Sequence, residues 1–134
     1  MGGEYEMPQV YMIITTYAED VLKENISSLA SELISTVETE FDLEDSGDVA
    51  LTIPAPVLYI KGEADVQIEI RYTAGEDEYD RGEPFDPSPK EQARLAWRIQ
   101  KTFLNFLHCH HLTHLAVSVW CKPYHRSTFR MYKT

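Results

Sequence analysis

The sequence predicts an α/β (α+β) fold: a two-layer sandwich in which a four-stranded mixed sheet carries two helices on one face. The order strand, long amphipathic helix, strand occurs twice along the chain. A right-handed crossover would make the two strands of each unit parallel and place its helix against the sheet. With 134 residues and 43% hydrophobic content, the chain can bury one core. We therefore expect duplicated β-α-β units, followed by a short C-terminal strand.

The first half begins with a strand over residues 10–16, which is rich in Val, Ile, Tyr and Thr and nearly continuously apolar, as in strands buried on both faces. From residue 19 or 20 to about Phe41, apolar residues recur at helical spacing and predict one long helix. A polar stretch then leads into a second strand over residues 49–53, and Lys61-Gly62 predicts a turn. The residues that recur at this spacing are Leu22, Ile26, Leu29, Leu33 and Val37.

The second half begins with a strand over residues 66–72, where apolar and polar residues alternate strictly. An acidic segment rich in Pro and Gly predicts a long loop, and Ser88-Pro89-Lys90-Glu91 predicts the start of the second helix. A strand over 115–120 and a short terminal strand over 127–132 complete the unit. The buried positions predicted on the second helix are Ala96, Ile99, Phe103, Phe106 and Leu107.

The second face of this sheet is expected to carry Val, Ile and Tyr side chains. Large exposed apolar patches are rare in monomers. Another subunit is therefore expected to cover this face, and a homo-oligomer is predicted.

Composition argues against several partner classes. The net charge of −10, from 12 basic and 22 acidic residues, opposes binding to nucleic acid or to an anionic membrane. The sequence has neither the roughly 18 consecutive apolar residues of a membrane span nor a signal peptide. Cys109 and Cys121 are too few for a disulfide framework and are expected to be free thiols, so a cytoplasmic protein is predicted. No Gly-rich phosphate loop is present, and no cofactor is expected.

The charge is distributed unevenly. Residues 1–80 carry 3 basic and 19 acidic residues, whereas residues 81–134 carry 9 basic and 3 acidic residues. This asymmetry indicates either complementary faces in an oligomer or a local cationic pocket for a small anion.

The segment HCHHLTH, residues 108–114, concentrates four of the five histidines. His110 and His114 have a zinc-like helical spacing, but His111 stands where a zincin-type protease needs Glu. A plain zinc site with Cys109 stays open as an alternative. A capping and dipole-compensating role at a helix end is favoured, so no metal is assigned.

Three motifs resemble the tautomerase superfamily, and most closely its 5-carboxymethyl-2-hydroxymuconate isomerases. They are MPQVYMIITT at the first strand, ADVQIEIRYTAG at the third and LAVSVW at the last core strand. The resemblance spans Met7 to about Tyr132, and only Met-Pro is mechanistically specific. It implies a homotrimer in which Pro8, exposed by removal of Met7, is the catalytic base, since a free secondary amine can accept a proton and an amide nitrogen cannot.

The start of the chain decides whether this chemistry is possible. MGGE can be encoded by GGA GGU GAG after the Met codon, the purine-rich pattern that bacterial ribosomes recognise before a start. Residues 1–7 would then be an N-terminal extension that is not translated in nature, and residues 8–134 a single tautomerase-like domain. The alternative is a native tail, with Pro8 merely opening an edge strand.

One departure from the family affects substrate binding. The isomerases resembled here place a substrate-binding Arg just after the first helix, where this chain has Asp45-Ser46-Gly47-Asp48 and no base between Lys23 and Lys61. The basic residues expected to replace it are Arg71, Lys122, Arg126 and Arg130. The last three are favoured because a C-terminal hairpin can reach a neighbour's pocket. For each residue the alternative is a solvated surface cation.

The sequence therefore predicts a tautomerase or isomerase that moves a proton alpha to a carbonyl of a small anionic keto or enol substrate. The alternative is a non-catalytic homotrimeric binding or scaffolding module with the same fold.

Overall fold

A computed structural model describes residues 8–41, 49–74 and 89–125. Within these ranges the chain forms four strands and three helices. They are β1 (Gln9–Ile14), α1 (Thr16–Leu22), α2 (Ile26–Glu40), β2 (Ala50–Thr52), β3 (Val66–Ala74), α3 (Pro89–Cys109) and β4 (Val117–His125).

The strands form one mixed sheet in the order β2-β1-β3-β4. β1 is parallel to β2, β3 is parallel to β4, and the two pairs meet through antiparallel β1 and β3. Each parallel pair is joined by a helical connection, as a parallel pair requires. This confirms the duplicated β-α-β units and the four-stranded mixed sheet.

The core lies between one face of the sheet and the helices. Val10, Met12 and Ile14 point into it from β1, because alternate side chains of a strand share a face. The same cluster includes Ile68 and Ile70 of β3 and the buried rows of α2 and α3. Both long helices therefore pack on the same face, as predicted. The helix residues of the cluster include Leu29, Leu33, Val37, Ile99, Phe103 and Phe106.

The first helical segment differs from the prediction. Thr16 begins α1 instead of ending β1, and residues 23–25 form a turn that separates α1 from α2. The Thr15 hydroxyl accepts a hydrogen bond from the backbone N–H of Ala18, which caps α1 directly after the strand. Asn25, at φ −120° and ψ 6°, leaves helical geometry. Apolar residues keep helical spacing across this turn, so periodicity alone could not reveal it.

Of the remaining boundaries, β3 begins at Val66 as predicted, whereas β4 runs over Val117–His125 and not over 115–120. α3 begins at Pro89 as predicted, although it buries Leu95 and leaves the predicted Ala96 only half-buried. The Lys61-Gly62 turn is confirmed: the N–H of Glu63 donates to the carbonyl of Ile60 at 3.1 Å, and Gly62 has φ 89°, a value that only glycine adopts easily.

The long loop predicted over residues 75–88 and the terminal strand predicted over 127–132 lie outside the described residues. None of the helices in the three described ranges is long and apolar enough to cross a membrane.

Candidate functional site on the open face of the sheet

The sheet has a second face, on which no helix of the described ranges packs; we call it the open face. The register of β1 with β3 and of β3 with β4 arranges its side chains in three rows. From the start of β1 inward, the rows are Gln9–Arg71–Lys122, Tyr11–Glu69–Trp120 and Ile13–Gln67–Ser118.

This face is more polar than the sequence suggested. Of the expected Val, Ile and Tyr side chains, the three rows contain only Tyr11 and Ile13. Val117 and Val119 of β4 pack against the core instead. This follows from the register of the strands. The polar positions of β3 lie on the open face, and the β4 residues paired with them lie on the same face. β1 is accordingly not buried equally on both faces: Tyr11 and Ile13 are only half-buried.

Glu69 lies at the centre of the open face and is the residue that sequence reasoning missed. It is only 4% exposed. One carboxylate oxygen, Oε1, accepts hydrogen bonds from Nη2 of Arg71 at 3.0 Å and from Nε of Arg71 at 3.2 Å. The Lys122 Nζ lies 3.4 Å from the same oxygen, and Nε2 of Gln67 donates to Oε2 at 2.8 Å. A carboxylate that accepts this many bonds is firmly held.

The environment keeps Glu69 charged. Burial alone would raise the pKa of its carboxyl group, because a charged form loses hydration. The hydrogen bonds from Arg71 and Gln67, together with the positive charges of Lys122 and Arg71, outweigh this effect and lower the pKa below its ordinary value. Glu69 is therefore an anion at neutral pH.

The two cations are held to different degrees. The Arg71 guanidinium also stacks over the Tyr11 ring, 3.9 Å from its centroid, and its side chain is 34% exposed. The Tyr11 hydroxyl in turn donates to Oε1 of Gln9 at 3.1 Å. The Lys122 side chain is 45% exposed and makes an ionic contact with Glu69. Lys122 is therefore the cation better placed to meet a dissolved anion.

Pro8 lies at the same end of the sheet as the two cations. It is buried and directly precedes Gln9, which pairs with Arg71. Its carbonyl accepts a hydrogen bond from the N–H of Ala50 at 3.4 Å. Alternation along the strand places Pro8 on the side of Val10, whereas Arg71 and Lys122 belong to the open face. The structure thus brings the three predicted site residues to one end of the sheet but on opposite faces.

The other two predicted substrate-binding residues, Arg126 and Arg130, lie outside the described residues. A signal for Glu69 was present in the sequence, because polar residues at positions 67, 69 and 71 of an alternating strand share one face. The Lys122 contact carried no such signal, since it depends on the register between β3 and β4.

The histidine-rich segment ends α3. The N–H of Leu112 donates to the carbonyl of Leu107, and the N–H of His111 to that of His108, which is the Schellman arrangement. His111 takes the left-handed position, φ 55°. Because α3 ends at Cys109, His110 and His114 do not share a helical face. Within the described ranges, no group of three or more His, Cys, Asp or Glu side chains is placed to hold a metal ion.

The two thiols lie apart from the open face. Cys109 is exposed, whereas Cys121 is half-buried beneath α3 and its Sγ donates to the carbonyl of Gln92 at 3.5 Å. Burial raises the pKa of the Cys121 thiol to about 11. Cys121 is therefore a neutral thiol at physiological pH and a poor nucleophile.

Known structures share this fold. A protein of unknown function from Vibrio cholerae O1 matches with a TM-score of 0.60 and 13% identity, over 96% of this chain and 86% of the other. A 5-carboxymethyl-2-hydroxymuconate isomerase from Deinococcus radiodurans matches with a TM-score of 0.56 and 10% identity, over 97% and 92%. A 5-carboxymethyl-2-hydroxymuconate delta-isomerase matches with a TM-score of 0.57 and 15% identity, over 96% and 88%.

At these identities the likeness concerns the fold alone, and it confirms a tautomerase-like architecture. No protein-family model matches the chain, and no curated protein matches its sequence.

Proposed function

We propose that the chain, when it begins at Pro8, is a tautomerase or isomerase that moves a proton alpha to a carbonyl of a small anionic keto or enol substrate. The observation that carries the proposal is the position of Pro8. It directly precedes β1, in a fold shared with two isomerases, at the sheet end where Arg71 and Lys122 are paired.

The proposed base is the secondary amine that Pro8 would have as the first residue. Pro8 is buried, and burial disfavours the charged ammonium form. Arg71 and Lys122 lie at the same end of the sheet, but on the opposite face and in contact with Glu69, so burial is the effect that favours the neutral amine. A neutral amine can then take a proton from a carbon next to a carbonyl and return it to another position of the substrate.

The substrate's negative charge would be met by basic side chains. Lys122 is the more exposed of the two described cations, with 45% of its side chain accessible. Because it lies on the face opposite Pro8, a homotrimer would have to bring it to the Pro8 of a neighbouring subunit. Arg71 contributes to the same potential but is held by Glu69 and Tyr11. Arg126 and Arg130, which follow β4 in the sequence, are proposed to bind the substrate's negative charge as well. A homotrimer would bring such residues to a neighbouring subunit's Pro8.

The test compares the chain that begins at Pro8 with the 134-residue chain, in which Pro8 is acylated by Met7. Conversion of phenylpyruvate between its enol and keto forms is followed by absorbance. We expect kcat/KM to be about 100-fold or more higher for the chain that begins at Pro8, in line with the usual contribution of a positioned base. Equal rates in the two proteins, or no conversion in either, would contradict the proposal. The intact mass of protein made from its own gene would show whether Pro8 is the natural first residue.

A second candidate is a non-catalytic binding or scaffolding module. One observation favours it: both described cations of the candidate site already contact the Glu69 carboxylate, so their charge is partly neutralised within the protein. This candidate predicts no conversion of phenylpyruvate-like compounds even when Pro8 is free.

A further inference from the structure

A polar groove lies between α2 and α3 on the outer side of the helical layer, and four residues of each helix line it. Its volume is about 310 Å³, which is the size of a site for a small ligand. The apolar rows of both helices point the other way, into the core against the sheet. A homotrimer assembled through the open face would therefore leave this groove exposed to solvent.

The floor of the groove consists of hydroxyl groups. Thr36 and Thr102 are half-buried, and their Oγ1 atoms lie 2.9 Å apart across the two helices. The hydroxyls of Thr36, Thr39 and Thr102 also lie 3.0–3.1 Å from the carbonyl oxygens one helical turn earlier. A hydroxyl has one proton but two acceptor lone pairs. These contacts use the protons, so the threonine oxygens can accept hydrogen bonds from a ligand that carries hydroxyl groups.

Two exposed cations of α3, Arg98 and Lys101, line the rim of the same groove. The Lys101 Nζ lies 4.9 Å from the centroid of the Trp97 ring, and the guanidinium carbon of Arg98 lies 5.8 Å from it. An aromatic ring attracts cations to its face, so Trp97 helps to hold both charges in place. The Nε of Arg98 is 3.6 Å from Oε1 of Glu40, a contact longer than a hydrogen bond, and the guanidinium can therefore also contact a ligand.

The charges at the rim favour an anion. Arg98 and Lys101 face the single carboxylate of Glu40 among the lining residues, which leaves a local excess of positive charge on a chain of net charge −10. Arginine and lysine together suit a group with several oxygens, such as phosphate. The hydroxyl floor disfavours an apolar ligand, because such a ligand would leave polar groups without partners.

We propose that this groove binds a small hydroxylated anion of the sugar-phosphate class. The phosphate contacts Lys101 and Arg98 at the rim, and the sugar hydroxyls donate to Thr36, Thr39 and Thr102. The site goes beyond the proposed isomerase function, since it involves neither Pro8 nor the open face of the sheet.

The experiment titrates the full 134-residue chain with glucose 6-phosphate and follows the backbone amides by NMR. The amides of residues 35–40 and 98–105 should shift in a saturable way. Glucose and inorganic phosphate are titrated separately, and each should bind about fivefold or more weakly than glucose 6-phosphate because each makes only part of the contacts. No saturable shift of these amides with glucose 6-phosphate would overturn the proposal, and so would equal affinity for inorganic phosphate.

A charge variant tests the rim. Lys101→Gln should weaken binding of glucose 6-phosphate about fivefold, the effect of one charge contact at about 4 Å in a solvated setting. Lys90→Gln is the matched control, because it removes the same charge from an exposed position of the same helix. Lys90 lies roughly 16 Å from Lys101 along the helix axis, beyond the screening length of about 8 Å, so affinity should not change. An equal loss in both variants, or no loss in Lys101→Gln, would overturn the proposal.

A hydroxyl variant tests the floor. Thr39→Val removes an exposed hydroxyl and leaves the contact between Thr36 and Thr102 intact. We expect it to weaken binding of glucose 6-phosphate about threefold and to leave binding of inorganic phosphate unchanged, in line with the loss of one hydrogen bond. Unchanged affinity for glucose 6-phosphate in this variant would contradict the assignment of the sugar hydroxyls to the threonines. Because Pro8 is acylated by Met7 in this chain, all of these outcomes are independent of catalysis by Pro8.

Discussion

At the scale of single residues, the most informative side chain is Glu69. It is a charged residue in a strand position that alternation assigns to an exposed face, yet it is almost completely buried. Such burial is tolerable because Gln67, Arg71 and Lys122 surround the carboxylate with hydrogen-bond donors and positive charge. The cluster therefore replaces the hydration that the carboxylate loses.

The pKa of Glu69 predicts how stability depends on pH. The folded protein lowers this pKa below its ordinary value of 4.5. The charged Glu69 carboxylate therefore stabilises the folded state fully above pH 4.5, and this stabilisation is lost as the pH falls through the lowered pKa. We expect Glu69→Gln to reduce the free energy of unfolding by about 1 kcal/mol at pH 7, a modest value because both cations are partly exposed.

The measurement is urea unfolding of both proteins at pH 7 and at a pH well below 4.5. The difference between the wild type and Glu69→Gln should shrink at the lower pH. Glu32→Gln, at an exposed position of α2, serves as the control and should match the wild type at pH 7. A difference that stayed constant across this range would show that the charge of Glu69 does not stabilise the fold.

At the scale of elements, the ends of the helices depend on single residues. α1 follows β1 without a loop because the Thr15 hydroxyl caps it through the N–H of Ala18, 3.1 Å away. α3 ends in a Schellman arrangement with a histidine where glycine is usual. The start of α1 is well capped, whereas the end of α3 is strained. We therefore expect the two substitutions described next to change the free energy of unfolding in opposite directions.

Replacing Thr15 by Val keeps the shape of a buried side chain but removes the cap. We expect this change to lower the free energy of unfolding by about 1 kcal/mol. Asn25→Ala is the matched control at the N-terminus of α2, where the side chain makes no capping bond, and it should stay within about 0.5 kcal/mol of the wild type. Chemical denaturation measures both, and an equal loss in the two variants would argue against the capping role of Thr15.

His111→Gly should stabilise the protein by about 0.5–1 kcal/mol, because glycine adopts the left-handed conformation without the steric cost of a side chain. His108→Gly, in the last turn of α3, should instead destabilise it by about 1 kcal/mol, the usual cost of glycine within a helix. Thermal or urea unfolding distinguishes the two changes. A loss of stability in both variants would mean that the His111 side chain has favourable contacts that outweigh its backbone strain.

At the scale of the whole molecule, the prediction concerns assembly. The open face carries Trp120, 55% exposed, beside the half-buried Tyr11 and Ile13. We expect a homotrimer that covers this face, so light scattering after size exclusion should give three times 15.4 kDa. Trp120→Ser should shift the protein toward monomers. Trp97→Ser removes an equally large side chain, 50% exposed on α3 near Lys101, and should leave the trimer intact. A monomer at micromolar concentration for the unchanged protein would contradict the assembly.

The amino-acid sequence by itself determined the class of fold and much of its order. Pro89 started α3 where predicted, and the alternation over residues 66–72 gave the two faces of β3, because helix starts and strand alternation are local properties of neighbouring residues. Periodicity also identified most buried positions of the long helices. It failed at residues 23–25, where the chain turns while apolar spacing continues.

Only the tertiary structure decided the composition of the candidate site. The sequence pointed to Arg71 and Lys122 as separate cations. The parallel register of β3 and β4 places them side by side, and both contact the Glu69 carboxylate. Pro8 was singled out because Met-Pro before the first strand resembles the start of a known family, whereas its placement at the same end of the sheet as the two cations follows from strand order and register. Register and strand order are set by packing between segments distant in sequence, and no local pattern encodes that packing.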